Sequence, residues 1–278
     1  MTEKIERTIK ALEKNRMDVY YAEKKEEILP IIKSLIKKGD KIGAGGSVTL
    51  KEIDTLSLFK NGDYNFIDRY EPGITNEERT NRFREAFFAD VFVMSSNAVT
   101  TSGRLINVDG FGNRAAALVF GPKSVIVVVG ANKIVETTEE GFARIRKIAA
   151  PKNAKRLNFE TYCAECGECM GNGDIGSGCG AEQRICCHYV VSSFQRDKGR
   201  IKVIICEEEL GYYKDFKSIL FLWGVCFFIF KHNSRRGVCF FYEKITLYTF
   251  SFFNEFWFSG KLFCRKRTYG YFAKRGFN

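Results

Sequence analysis

The chain has 278 residues, 45% of them hydrophobic and 28% charged, which is enough for one large domain or two small ones and excludes a disordered chain. With only four prolines, it is neither collagen-like nor proline-rich. The net charge of +11 invites a nucleic-acid or anionic-membrane reading, but the excess is uneven: residues 1–213 carry 32 Lys and Arg against 30 Asp and Glu, and residues 214–278 carry 12 against 3. Of 40 aromatic residues, the last 65 positions hold 21, so two compositions meet near Tyr213.

In chain order, residues 2–17 place Ile5, Ile9 and Leu12 at helical spacing behind Thr2, a natural N-cap. Residues 17–22 read as a short strand. Residues 24–38 gather Ile28, Ile31, Ile32, Leu35 and Ile36 on one helical face, with Pro30 expected in its first turn. Lys41-Ile42 leads into GAGGS (43–47), and a helix is expected from Ser47 to Leu56. Another helix spans Thr75–Ala89. The runs VFVMSS (91–96) and SVIVVVG (124–130) are continuously apolar, as strands buried on both faces of a parallel sheet are. Between them, residues 100–114 read as turns around a short strand pair, then a helix over Asn113–Phe120. A helix from Thr137 is expected to end at Ala150, before Pro151. IKVIIC (201–206) is a last strand, followed by EEELGY. Strands alternating with helices indicate an α/β sheet. No apolar run follows the charged opening Met1–Lys10, so no secretory signal is read there and a cytoplasmic location is expected.

Three groups of residues carry chemistry. In GAGGS, the glycines Gly43, Gly45 and Gly46 let a backbone approach a ligand, and Ser47 either caps a helix or meets an anion; a ligand-free strand-to-helix turn is the alternative. Ser95, Ser96 and Asn97 end a buried strand, and Asn107, Asp109, Gly110, Gly112, Asn113 and Arg114 follow. Polar groups beyond strand carboxyl ends are well placed for a ligand, with an acid/base role for Asp109 and anion holding for Asn113 and Arg114. A hairpin with Asx turns is the alternative. Six of the ten cysteines crowd into residues 163–187, with Cys163, Cys166 and Cys169 three apart, then Cys179, Cys186 and Cys187. Thiolates so spaced suit zinc or an iron–sulfur cluster, although no Cys-Pro closes a ferredoxin-type run; free thiols or a redox pair are the alternative.

The stretch ADVFVMSSNAVTTSGRLINVDGFGNRAAALVFGPKSVIVVVGANKIV (89–135) resembles the LUD-domain family of lactate-utilisation-type proteins, as do APKNAKRL (150–157), RIC (184–186) and the EEELGY stretch. The resemblance covers about residues 1–212, and its central motif (97–114) is long and specific. It implies a three-layer α/β domain with a mainly parallel sheet, of the isomerase/CoA-transferase-like superfamily shared with ribose-phosphate isomerase and sugar-phosphate deaminases. It also implies that the loops holding Gly43, Gly45, Gly46, Ser47, Asn97, Asp109, Gly110, Asn113 and Arg114 face a small anionic ligand or a nucleotide-like cofactor. Four cysteines of the family pattern match Cys163, Cys169, Cys179 and Cys186, with Cys166 and Cys187 as extras and a longer spacing between Cys169 and Cys179. The best-known members act in oxidising L-lactate to pyruvate beside iron–sulfur partner proteins. Two functions follow as expectations: a protein of lactate or related organic-acid utilisation, or a non-catalytic iron–sulfur or zinc subunit among oxidoreductase partners.

Residues 213–278 lie outside the resemblance. The charge-free run Ser218–Phe230 is short of the roughly 20 residues that span a bilayer. An interfacial aromatic segment is a second reading. A non-native extension is preferred, because the composition breaks where the family pattern stops. No nucleic-acid recognition motif is present, so nucleic acid is not expected as a partner.

Overall fold

Residues 1–213 are described by the computed structural model, so the readings of the aromatic segment lie outside the described residues. The main sheet is parallel throughout, because its strands come from successive strand–helix units. It starts with α1 (Glu3–Lys14), capped by Thr2, which leads into β1 (Asp18–Ala22). After a 3-10 turn over residues 25–27, α2 (Ile28–Leu35) carries Pro30 in its first turn, as expected. β2 (Lys41–Ala44) follows.

The helix expected over 47–56 is two helices, α3 (Val48–Glu52) and α4 (Thr55–Asn61). Asp54 breaks them apart with a left-handed φ of 53°, a conformation that Asp adopts more readily than most residues. β3 (Asn65–Phe66) and α5 (Asn76–Glu85) come next, the latter opened by a capping box between Thr75 and Glu78. β4 (Val91–Met94) is followed by β5 (Ala98–Thr100) and β6 (Leu105–Asp109), an antiparallel pair whose first strand begins two residues before the 100–114 stretch where a short strand pair was expected.

α6 (Asn113–Val119) leads to β7 (Ser124–Gly130), and β8 (Ile134–Val135) to α7 (Thr138–Arg144). Pro151 does not end this helix. The chain widens into a π turn over residues 145–149 and continues as α8 (Ala150–Arg156), with Pro151 at its start. The wider turn relieves the clash that a proline ring makes with the carbonyl four residues earlier. α9 (Tyr162–Cys166), β9 (His188–Ser192) and β10 (Ile201–Cys206) complete the described elements.

The main sheet runs β1-β10-β7-β4-β2-β3, and a second sheet runs β8-β5-β6-β9. Alternation along the strands sends Val125, Val127 and Val129 to one side and Ile126 and Val128 to the other. On the first side they meet Ile5 and Leu12 of α1, Leu118 of α6, and Val99 and Leu105 of the second sheet. On the other they meet Ile28, Ile32, Leu50 and Phe59 of α2, α3 and α4. The outer face of the second sheet packs Ala98, Ile106 and Val108 against Ile145 and Ala150. The result is a mainly parallel α/β sheet layered between helices, with the small sheet lying over one side. No helix among the described residues is long and apolar enough to cross a membrane.

Candidate anion site at the strand ends

From β2 the chain moves outward to β3, and from β4 it moves the opposite way to β7. The crevice beyond the carboxyl ends of β2 and β4 is therefore a topological switch point, where open α/β sheets hold ligands. The loops read from the sequence meet here, but their residues divide into different jobs.

Gly43 faces away from the crevice: a Cβ there would stand 2.8 Å from the Phe92 ring, so this glycine serves sheet packing. Gly45 and Gly46 form the floor. A Cβ on Gly45 would lie 3.3 Å from Arg114 Cδ, and one on Gly46 would lie 3.0 Å from Tyr70 Oη and 3.5 Å from Arg69 Nη2. Two arginines thus lie against two successive glycines. Ser47 caps α3, accepting from the Leu50 N–H.

Alternation along β6 points Leu105, Asn107 and Asp109 to one face, and Leu105 packs against the main sheet. Asn107 and Asp109 are thereby delivered to the crevice side. Asp109 accepts backbone N–H groups from Gly112, Arg114 and Ala115, so its carboxylate closes the DGFGNR loop and starts α6. Its Oδ2 is also 3.6 Å from Arg114 Nε. Gly112 has φ 82°, the turn conformation that favours glycine. A Cβ on Gly110 would meet Ile185 Cα at 3.3 Å, which ties this loop to the cysteine-rich segment. Asn113 opens α6, and its side chain makes no hydrogen bond among the described residues.

Arg114 is the hub. Its Nη1 donates to Ser95 O and Asn107 Oδ1, and its Nη2 donates to Asn97 Oδ1 and Val108 O. Asn97 Oδ1 also accepts from Val108 N–H. Because Asn107 Oδ1 takes Arg114, its Nδ2 is left as a donor, and this fully buried amide nitrogen has no partner among the described residues. Arg69 Nε is the other buried orphan. Arg69 stacks over Phe83 at 4.3 Å and Tyr70 at 5.2 Å, which positions its guanidinium without neutralising it. Burial pushes both arginines below their ordinary values, with the charge of Asp109 acting the other way.

The sequence reading missed Arg69, Lys133 and Arg144. Lys133 follows β7 and is 5% exposed. Its Nζ donates to Thr49 Oγ1 at 2.5 Å and Ser95 Oγ at 2.7 Å. Burial first, then the positive charges of Arg144 and Arg114, push its amine down to about 7, against the weaker pull of Glu52. Arg144 donates to the carbonyls of Asn97, Asn132 and Tyr212, which pins the end of EEELGY over the site. Gly211 in that stretch has φ 74° and leaves room for the lysine: a Cβ would meet Thr49 Oγ1 at 2.5 Å and Lys133 Nζ at 3.3 Å. A Lys in GANK, three residues past an apolar strand, was a usable signal; Arg69, in an irregular loop, offered none.

The cysteines lie elsewhere. Cys163, Cys169, Cys179 and Cys186 line one cavity, and Cys166 is not part of its lining. The exposed Cys187 donates its N–H to Asp109 O.

The family model of the LUD domain matches residues 5–206. No curated protein matches the chain. Among solved structures, a DUF162 family protein from Deinococcus radiodurans is 17% identical, with a TM-score of 0.42 over 73% of this chain and 96% of its own. Ribose 5-phosphate isomerase A from Methanocaldococcus jannaschii is 16% identical, with a TM-score of 0.31 over 62% of this chain and 80% of its own.

Proposed function

This chain belongs to the LUD domain family, and on that premise we propose that it takes a small organic acid in the switch-point crevice, in lactate or related organic-acid utilisation. The observation that carries this reading is the pair of buried donors without acceptors, Arg69 Nε and Asn107 Nδ2, beside a glycine floor. A buried donor left unpaired costs on the order of 1–3 kcal/mol, so a site holding two of them is built for an acceptor. A carboxylate or phosphate supplies several oxygens and the negative charge that two guanidinium groups favour.

In this reading Arg69 and Arg114 hold the anion and Asn107 hydrogen-bonds it. Asn113 reaches the same ligand from the first turn of α6. Asp109 fixes the loop through its three backbone bonds. Proton transfer falls to Lys133, whose amine titrates near neutrality; it would accept the proton of a hydroxyl carried next to the anion. Thr49 and Ser95 orient the amine.

The test is calorimetric titration of the full chain with L-lactate, pyruvate and inorganic phosphate. Saturable binding of one of them by the wild type, lost in Arg69→Ala, is expected. No binding of any anion, or undiminished binding by Arg69→Ala, overturns the reading. A second function, as a non-catalytic subunit beside oxidoreductase partners, is favoured by the thiol-lined cavity.

A further inference from the structure

Four thiols that the crevice does not use share one space. Cys163 comes from α9, Cys169 and Cys179 from the following loop, and Cys186 from the approach to β9, yet all four line a single cavity of about 20 Å³. From these residues we infer that the chain binds one thiophilic metal ion of the zinc type, held by the sulfurs of Cys163, Cys169, Cys179 and Cys186. The inference rests on residues separate from the anion crevice and stands or falls independently of it.

The donor set points to the occupant: four sulfurs on one lining match a tetrahedral structural zinc site.

An outer shell is already in place. Gly171 N–H points at Cys169 Sγ at 3.4 Å, and Arg184 Nε donates to Cys186 Sγ at 3.1 Å. The Thr161 hydroxyl stands 3.5 Å from Cys163 Sγ. Such donors orient sulfur ligands and stabilise their charge. A divalent ion with four thiolates carries two net negative charges, and two arginines stand beside it: Arg184, and Arg146 in the cavity wall. Among the described residues no three metal-ligating side chains are yet drawn together around a point. Binding would pull the sulfurs inward, and the glycines at 171, 173, 176, 178 and 180 give the loop the freedom to follow.

The experiment uses the full chain, stripped with chelator and reductant and then titrated with Zn²⁺ or Co²⁺ alone. One equivalent is expected, with Co²⁺ giving the near-ultraviolet sulfur-to-metal band and the intense visible bands of a tetrahedral thiolate site. Cys169→Ser and Cys179→Ser should each lower affinity at least tenfold, whereas Cys187→Ser should not. Should either serine variant fail to fold, alkylation mass spectrometry of the wild type decides: Zn²⁺ should protect Cys163, Cys169, Cys179 and Cys186 together. Stoichiometric iron with acid-labile sulfide, no retained metal, or protection of any other set of cysteines overturns the inference.

Discussion

Lys133 Nζ stands 2.7 Å from Ser95 Oγ, while the carbonyl of the same serine accepts from Arg114. One residue at the end of β4 thus joins the amine to the guanidinium hub. Lys133 is buried and Arg114 half-buried, and the carboxylate nearest Arg114 is already committed to three backbone N–H groups.

The buried Lys133 amine should make native stability depend on pH. In the unfolded chain this amine keeps its proton to about 10.5, but in the fold only to about 7. Between these values the unfolded state holds more protons, so native stability rises with pH there, by at most about 1.4 kcal/mol per unit. Below the folded value both states are protonated and this contribution to the slope disappears. Lys133→Met should flatten the pH 7–10 portion of the profile relative to wild type and raise stability at pH 7. Urea unfolding of both proteins across this range measures the difference; parallel profiles would show that the amine titrates normally.

Arg114→Lys should be costly for the fold itself. Two guanidinium nitrogens serve four oxygens, and an ammonium cannot span them. Leaving part of this set unpaired predicts a loss of about 2–4 kcal/mol in chemical denaturation. Arg69→Ala, which removes stacking and no hydrogen bond among the described residues, should cost less than half as much while abolishing anion binding.

Asp109→Ala should free three backbone N–H groups and cost about 1–3 kcal/mol. Asp109→Asn, which keeps an acceptor oxygen, should lose less, with anion affinity and stability falling in step. Intact stability and affinity with abolished turnover would instead make Asp109 the proton-transfer group.

Gly211→Ala places a Cβ 2.5 Å from Thr49 Oγ1 in a backbone with φ 74°. The crowding should cost about 1–3 kcal/mol and displace the amine from its two hydroxyl partners. Thermal unfolding, together with the pH profile of the Lys133 prediction, would detect both effects.

The sheet was legible because its strands are extreme: SVIVVVG and IKVIIC are buried on both faces and declare themselves by composition. β3 and β8 are two residues each and carry no periodicity, and β9 alternates too weakly beside the cysteines. Asp54 and Pro151 show the limits of local signals, since one splits a helix that its apolar spacing joins and the other sits inside a helix that it was expected to end. At the crevice, GAGGS and DGFGNR were visible as loops, but their division of labour was not. Whether Asp109 faces a ligand or its own backbone depends on the path of the chain after β6. Arg69 and Lys133 reach the crevice only through tertiary packing, from positions 45 and 19 residues away from Arg114.

The most direct measurement is calorimetric titration of the full chain with pyruvate, L-lactate and inorganic phosphate, run in parallel on wild type and Arg69→Ala. The expected result is one saturable anion site in the wild type and at least a tenfold weaker one in a variant that remains folded. A wild type that binds none of these anions, or a folded Arg69→Ala that binds as tightly, would contradict an anion site at the ends of β2 and β4.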